Sequence, residues 1–273
     1  MPKVRINNLV YFFQCMGKGP PLIMLHGFTG SLRSWNSLTG ELSSQNKSLA
    51  IDLPGHGRTE SSINPKQYTM DQTAKDIISI ADDLSLGQFS LLGYSMGGRL
   101  ALYLAVHFPD RIKALILESA SPGIADKAER IKRREWDYDL AGRIESEGIL
   151  SFVNWWEQLP LFASQSAVPE QRRASLRQER LQNNAQGLAN SLRGMGTGSQ
   201  PSLWGALPKL TIPTLLFCGG RDEKYVQINS DMARIMLHAE LVIFQDAGHN
   251  IHFEQPEAFT TVLSNFLLGM DTE

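Results

Sequence analysis

Residues 89–98 read Phe-Ser-Leu-Leu-Gly-Tyr-Ser-Met-Gly-Gly, and the apolar period changes within them. Phe89 to Gly93 is a short apolar run, the pattern of a strand buried on both faces. Met96 to His107 carries a helical period and is closed by Pro109. Between strand and helix stands Gly93-Tyr94-Ser95-Met96-Gly97, a Gly-x-Ser-x-Gly turn in the context that gives it chemical meaning. So sharp a turn leaves no room for a Cβ on either side of the serine. It holds Ser95 strained, with its hydroxyl exposed above the sheet at the positive end of the following helix. An isolated Gly-Ser-Gly turn would mean little. This one has a strand before it, a helix after it and partners downstream.

Outward from this turn, strands and helices alternate. Leu9 to Phe13, Leu22 to Leu25, Leu49 to Leu53 and Ala114 to Leu117 read as strands. Ser31 to Leu42 and Met70 to Leu84 read as helices, the second with Ile77, Ile78, Ala81 and Leu84 on one face. Alternation stops at Ser121 and returns with Thr214 to Cys218, Met232 to Leu237, Leu241 to Phe244 and a last helix from Pro256 to Leu268. A mainly parallel sheet covered on both faces by helices is expected. Its core would span residues 1–120 and 208–273, with 121–207 as an all-helical lid over the carboxyl ends of the strands.

A serine hydroxyl becomes a nucleophile or base at neutral pH only when a histidine takes its proton. Of six histidines, His249 is favoured because it follows Asp246-Ala247-Gly248 in the loop after the last strand. His252 is the alternative; His107 and His238 lie near helix ends, and His26 and His56 sit in ordered turns. The acid should follow the strand between serine and histidine, where Asp222 ends Gly219-Gly220-Arg221-Asp222. It would fix the histidine tautomer and stabilise the imidazolium. Glu118 is the rival acid, expected to be structural or to act at the pocket floor. An oxyanion hole would use the backbone N–H of Met96 and of Phe28, in Leu25-His26-Gly27-Phe28. The order Ser, Asp, His is that of the α/β-hydrolases.

Composition removes other classes. The chain has 273 residues, 26 basic and 28 acidic side chains and a net charge of −2. A nucleic-acid binder would need a strong basic excess. No apolar run approaches the ~20 residues that span a bilayer, and the start, MPKVRINNLVYFFQ, is not that of a signal peptide. Two cysteines, Cys15 and Cys218, suit a reducing cytoplasm. No metal-ligand spacing, dinucleotide fingerprint or P-loop occurs, so no metal or cofactor is expected. A monomer or small homo-oligomer is expected.

Taken together, these residues resemble the α/β-hydrolase superfamily over essentially the whole chain. Further stretches resemble the SHCHC synthase family of menaquinone and phylloquinone biosynthesis. They are Gly93 to Arg99, Ser121-Pro122-Gly123, Glu129 to Arg134, Arg180 with Gln182-Asn183-Asn184, and Gly196-Thr197-Gly198-Ser199-Gln200-Pro201-Ser202-Leu203-Trp204. The resemblance implies a lyase acting on a tricarboxylate, 2-succinyl-5-enolpyruvyl-6-hydroxy-3-cyclohexene-1-carboxylate, which loses pyruvate. Ser95, His249 and Asp222 would remove the proton beside the succinyl ketone, and Phe28 and Met96 would hold the enolate oxygen. An esterase or carbon–carbon bond hydrolase, and a ligand-binding receptor on the same fold, are the competing readings.

The lid sequence agrees with an anionic substrate. Nine of sixteen arginines fall between Ser121 and Gln200, and arginine clamps carboxylates in two-pronged fashion. Arg99 stands four residues after Ser95, about 40° around the helix, and so points to the same side. Arg180 is matched by its neighbours. Of the run around residue 130, Arg130 is the first choice for the substrate and Arg133 the second. Tyr94 could donate a hydrogen bond to substrate. Trp155 or Trp156 could form the pocket wall, and Trp155 is the one expected.

Overall fold

The computed structural model describes residues 2–270. Eight strands form one sheet in the order β1-β2-β4-β3-β5-β6-β7-β8. They are β1 (Lys3–Ile6), β2 (Leu9–Met16), β3 (Pro21–Leu25), β4 (Lys47–Ile51), β5 (Phe89–Tyr94), β6 (Ile112–Glu118), β7 (Thr214–Gly219) and β8 (Ala239–Phe244). Pairing from β4 to β8 is parallel, while β2 runs antiparallel to both β1 and β4.

The central strands are continuous apolar runs because both of their faces are covered. Side chains alternate along β3: Ile23 and Leu25 join the core shared with α2 (Met70–Asp83) and α3 (Met96–His107). Leu22 and Met24 face the other core, shared with α1 (Asn36–Leu42) and the last helix (Pro256–Gly269). At the edge, β1 is four residues long and alternates exposed with half-buried positions, which is why no apolar run announced it. The helix expected around Met232 begins much earlier, as α7 (Glu223–Ile235), because the Asp222 side chain accepts the Tyr225 N–H and starts it.

Between β6 and β7 the described residues hold no strand. The segment contains α4 (Lys127–Trp156), a 3-10 stretch (Pro160–Ala167), α5 (Glu170–Leu181) and α6 (Ala185–Met195). Gly148 at φ 82° breaks α4 into two arms. Leu140, Ala141, Ile144, Leu188, Ala189 and Leu192 give this segment a small core of its own. A two-pronged pair also ties it together, with Arg193 donating to both Glu145 oxygens at 2.6 Å. Asn183 fastens it to the sheet loops, donating to Thr29 O at 2.8 Å and accepting the Gly57 N–H at 3.2 Å.

Candidate active site

Ser95 sits between the last residue of β5 and the first of α3, at φ 50° and ψ −106°. A non-glycine residue is held there only when its surroundings over-determine it. A Cβ on Gly93 would run into the Gly97 carbonyl, and one on Gly97 into that of Leu25. The Ser95 N–H donates to Glu118 O at 2.8 Å, anchoring the turn to β6.

His249 lies in the loop after β8, and its Nε2 is 2.9 Å from Ser95 Oγ. Its Nδ1–H donates to Asp222 Oδ2 at 2.6 Å. The Tyr225 N–H, bonded to the Asp222 carbonyl at 2.9 Å, also reaches the other carboxylate oxygen at 3.4 Å. With the Nδ1 proton committed to Asp222, the Nε2 lone pair faces the serine hydroxyl. This arrangement can accept the hydroxyl proton and stabilise the imidazolium that results. The imidazole is enclosed by the rings of Tyr94 (5.5 Å between centroids) and Tyr225 (4.6 Å).

His252 and Glu118 pair with each other, not with the serine. The fully buried Glu118 carboxylate accepts Ile251 N–H at 2.6 Å, His252 N–H at 3.0 Å and His252 Nδ1–H at 2.6 Å. Its side chain fixes the segment just after His249 while its backbone carbonyl fixes Ser95. Glu118→Ala would strand these three buried donors. We expect a loss of about 3 kcal/mol in unfolding free energy, at ~1 kcal/mol or more per stranded donor. Urea denaturation measures it, and a loss below about 1 kcal/mol would contradict the assignment.

Met96 is the first residue of α3, so its N–H has no acceptor within the helix. Phe28 lies in the loop after β3, and among the described residues its N–H meets no protein acceptor. Both residues line a cavity of about 530 Å³ together with Tyr94, Ser95 and His249. A wider cleft of about 760 Å³, between α5 and the start of α1, contains none of Ser95, Asp222 and His249.

Arg99 reaches this cavity, and burial pushes its guanidinium down to about 10. It donates to Met195 O at 2.7 Å and to Gln200 Oε1 at 3.2 Å. Arg133 also lines the cavity, and its Nε donates to the buried Asp137 at 2.8 Å. The second Asp137 oxygen accepts the Gly198 N–H at 2.9 Å. The stretch 196–204 thus braces both arginines from behind, directly through Gln200 and through the Gly198 N–H on Asp137, a residue that no motif in the sequence marks. The i, i+4 spacing of Arg133 and Asp137 was the one available signal.

Three expected contacts are not brought into the cavity. Arg130 is half-buried on α4 but is absent from the lining, where Arg133 stands instead. Trp156 forms the wall, its ring 5.5 Å from that of Phe28, while Trp155 packs under the Arg143 guanidinium. Neighbours on a helix point about 100° apart, so only one of the two tryptophans can face inward. Arg180 is buried behind Phe162, 5.2 Å from that ring, and donates to Glu157 at 3.1 Å. Lys224 and Tyr225 are lining residues that the sequence reading did not include.

A family model described as the alpha/beta hydrolase fold matches residues 20–256. A Bacillus subtilis (strain 168) protein provisionally named 2-succinyl-6-hydroxy-2,4-cyclohexadiene-1-carboxylate synthase is 44% identical over 249 residues, covering 91% of this chain and 90% of that protein. The Serratia proteamaculans (strain 568) protein of that name is 35% identical over 251 residues, covering 92% and 94%. The solved structure of MenH from S. aureus superposes with a TM-score of 0.91 at 36% identity, covering 96% of this chain and 98% of that one. The chain belongs to the alpha/beta hydrolase fold family and, within it, to the 2-succinyl-6-hydroxy-2,4-cyclohexadiene-1-carboxylate synthase family.

Proposed function

We propose that this chain converts 2-succinyl-5-enolpyruvyl-6-hydroxy-3-cyclohexene-1-carboxylate into 2-succinyl-6-hydroxy-2,4-cyclohexadiene-1-carboxylate and pyruvate. The observation that carries the reading is the union of a serine–histidine–acid unit with the braced cations Arg99 and Arg133 in one cavity. Similarity to relatives named for this synthase supports it.

The ring proton beside the succinyl ketone is the acidic one. Ser95 Oγ, relieved of its own proton by His249 Nε2, removes it. The resulting enolate oxygen would sit against the N–H groups of Phe28 and Met96. When the ketone re-forms, the electron pair becomes a double bond between ring carbons 2 and 3. The original 3,4 double bond shifts to 4,5, and the bond from carbon 5 to the enolpyruvyl oxygen breaks. The departing pyruvate enolate takes up one proton, so the sum is substrate to product plus pyruvate. No water is consumed and no acyl-enzyme forms.

Arg99 and Arg133 would hold substrate carboxylates, with Tyr94 beside the nucleophile as a hydrogen-bond donor. Arg180 would join them only by leaving Glu157. In this reading residues 121–207 act as a lid over a core of residues 1–120 and 208–273. No described helix is long and apolar enough to cross a membrane, and both cysteines are free. In this reading the enzyme is cytoplasmic and its partner is a small anion, and the net charge of −2 speaks against nucleic acid.

Incubation with the enolpyruvyl substrate should release pyruvate in step with the diene absorbance. A short-chain neutral ester in a parallel assay should be turned over poorly. Rapid ester hydrolysis with no pyruvate release would instead establish an esterase on the same triad.

A further inference from the structure

We propose that Tyr225 is a specificity residue whose hydroxyl, in the cavity lined by Arg99, Arg133 and Ser95, donates a hydrogen bond to a substrate carboxylate. This deepens the tricarboxylate reading above and rests on it.

Tyr225 is joined to the catalytic unit at two points. Its N–H donates to Asp222 Oδ1 at 3.4 Å, and its ring packs edge-on against His249 with centroids 4.6 Å apart at 62°. Backbone and ring are therefore fixed, and the hydroxyl is carried at the rigid tip of the side chain. Away from the cavity, the hydroxyl of Tyr11 donates to Asp76 at 2.6 Å and that of Tyr68 to Ser62 O at 2.7 Å. The Tyr225 hydroxyl has no hydrogen-bond partner among the described residues. Tyr225 is half-buried and its hydroxyl is not sealed among protein atoms, so a group entering the cavity can reach it.

The chemistry of its neighbours selects the missing partner. Burial raises the Tyr225 hydroxyl above its ordinary pKa against the opposing pull of Arg99, so at neutral pH it remains a proton donor. Arg99 and Arg133 are donors only. A group lying among two guanidiniums and a phenol must therefore be an acceptor with several lone pairs and negative charge. A carboxylate meets that demand; a neutral ester carbonyl meets it only in part. His249 packing needs the ring alone, so the hydroxyl is free for this second role.

Tyr225→Phe keeps the ring and removes the oxygen. Two measurements on the intact protein follow: the kinetics of pyruvate release, and calorimetric binding of 2-succinylbenzoate, a stable aromatic analogue that keeps two of the three carboxylates. KM should rise about tenfold, the loss expected for one hydrogen bond to a charged group. The kcat and the thermal midpoint should be nearly unchanged. A matching rise in the Kd of 2-succinylbenzoate places the hydroxyl on a carboxylate the analogue retains. A rise in KM alone keeps the assignment and places it on the enolpyruvyl carboxylate. An unchanged KM, or a fall in kcat at constant KM, overturns it. If the wild-type protein releases no pyruvate, the reaction assignment fails, and the analogue then decides: a weaker Kd in the variant supports Tyr225 as a carboxylate ligand. An equal Kd, or no binding to either protein, overturns it.

Discussion

Ser95→Ala should release pyruvate at least ~10⁴-fold more slowly than the wild type, because members of such a triad act as a unit. On the barrier scale this is about 5.5 kcal/mol. Histidine alone is a poor substitute. The His249 Nε2 lone pair is aimed at Ser95 Oγ, 2.9 Å away, and without the hydroxyl it sits one atom short of the substrate proton. The unusual backbone of Ser95, at φ 50°, costs alanine as much as serine, and Gly93 and Gly97 still admit the turn. The thermal midpoint should therefore move little, and binding of 2-succinylbenzoate should persist because Arg99 and Arg133 are untouched. A rate within tenfold of wild type would sink the catalytic assignment. Comparable loss of folding and of rate would mean that the serine holds the turn and does not carry the chemistry.

Local chemistry made the site legible in the sequence. The strand, the tight glycine turn and the helix after it are set by residues 89–107, and each is visible as a change of period. The same holds for Asp222, which follows a buried strand and starts a helix with its own side chain. What could not be read is set by contacts distant in the chain. Which tryptophan faces the cavity depends on how α4 rotates against Phe28, and that rotation follows from packing against Leu188, Ala189 and Leu192. Arg133 outranks Arg130 because Asp137, bonded in turn to Gly198, holds it. Arg180 looked like a substrate ligand because its neighbours matched a pattern, yet Glu157, 23 residues away, takes its charge. Tyr225 was hidden because its helix was expected to start later; a tyrosine in the first turn after the triad acid acquires meaning only once that turn is placed. Asn183 shows the converse case. It lies in a stretch that resembles a family motif, yet it bonds two loops of the core instead of facing the cavity.

The folded protein should lose on the order of 5 kcal/mol of stability between pH 6.5 and pH 3 through His56 alone. Burial is the main cause, with neighbouring His26 adding to it, and together they push the His56 imidazole down to about 3 from 6.5. Its Nδ1–H donates to Pro54 O at 3.1 Å, while Nε2 is buried with no partner. Protonation would place a charged N–H where nothing accepts it. The unfolded chain takes up this proton near pH 6.5 and the folded chain does not. Stability therefore rises with pH across this window, by ~1.4 kcal/mol per unit for one proton, and is fully present above it. His26 acts in the same direction, since burial lowers it as well, and its Nε2 already accepts the Leu53 N–H at 3.0 Å. His56→Phe retains a ring against Phe28, whose centroid lies 5.6 Å from that of His56. The variant should show a slope shallower by about one proton in urea denaturation between pH 4.5 and 6.5. An unchanged slope would place the acid sensitivity elsewhere.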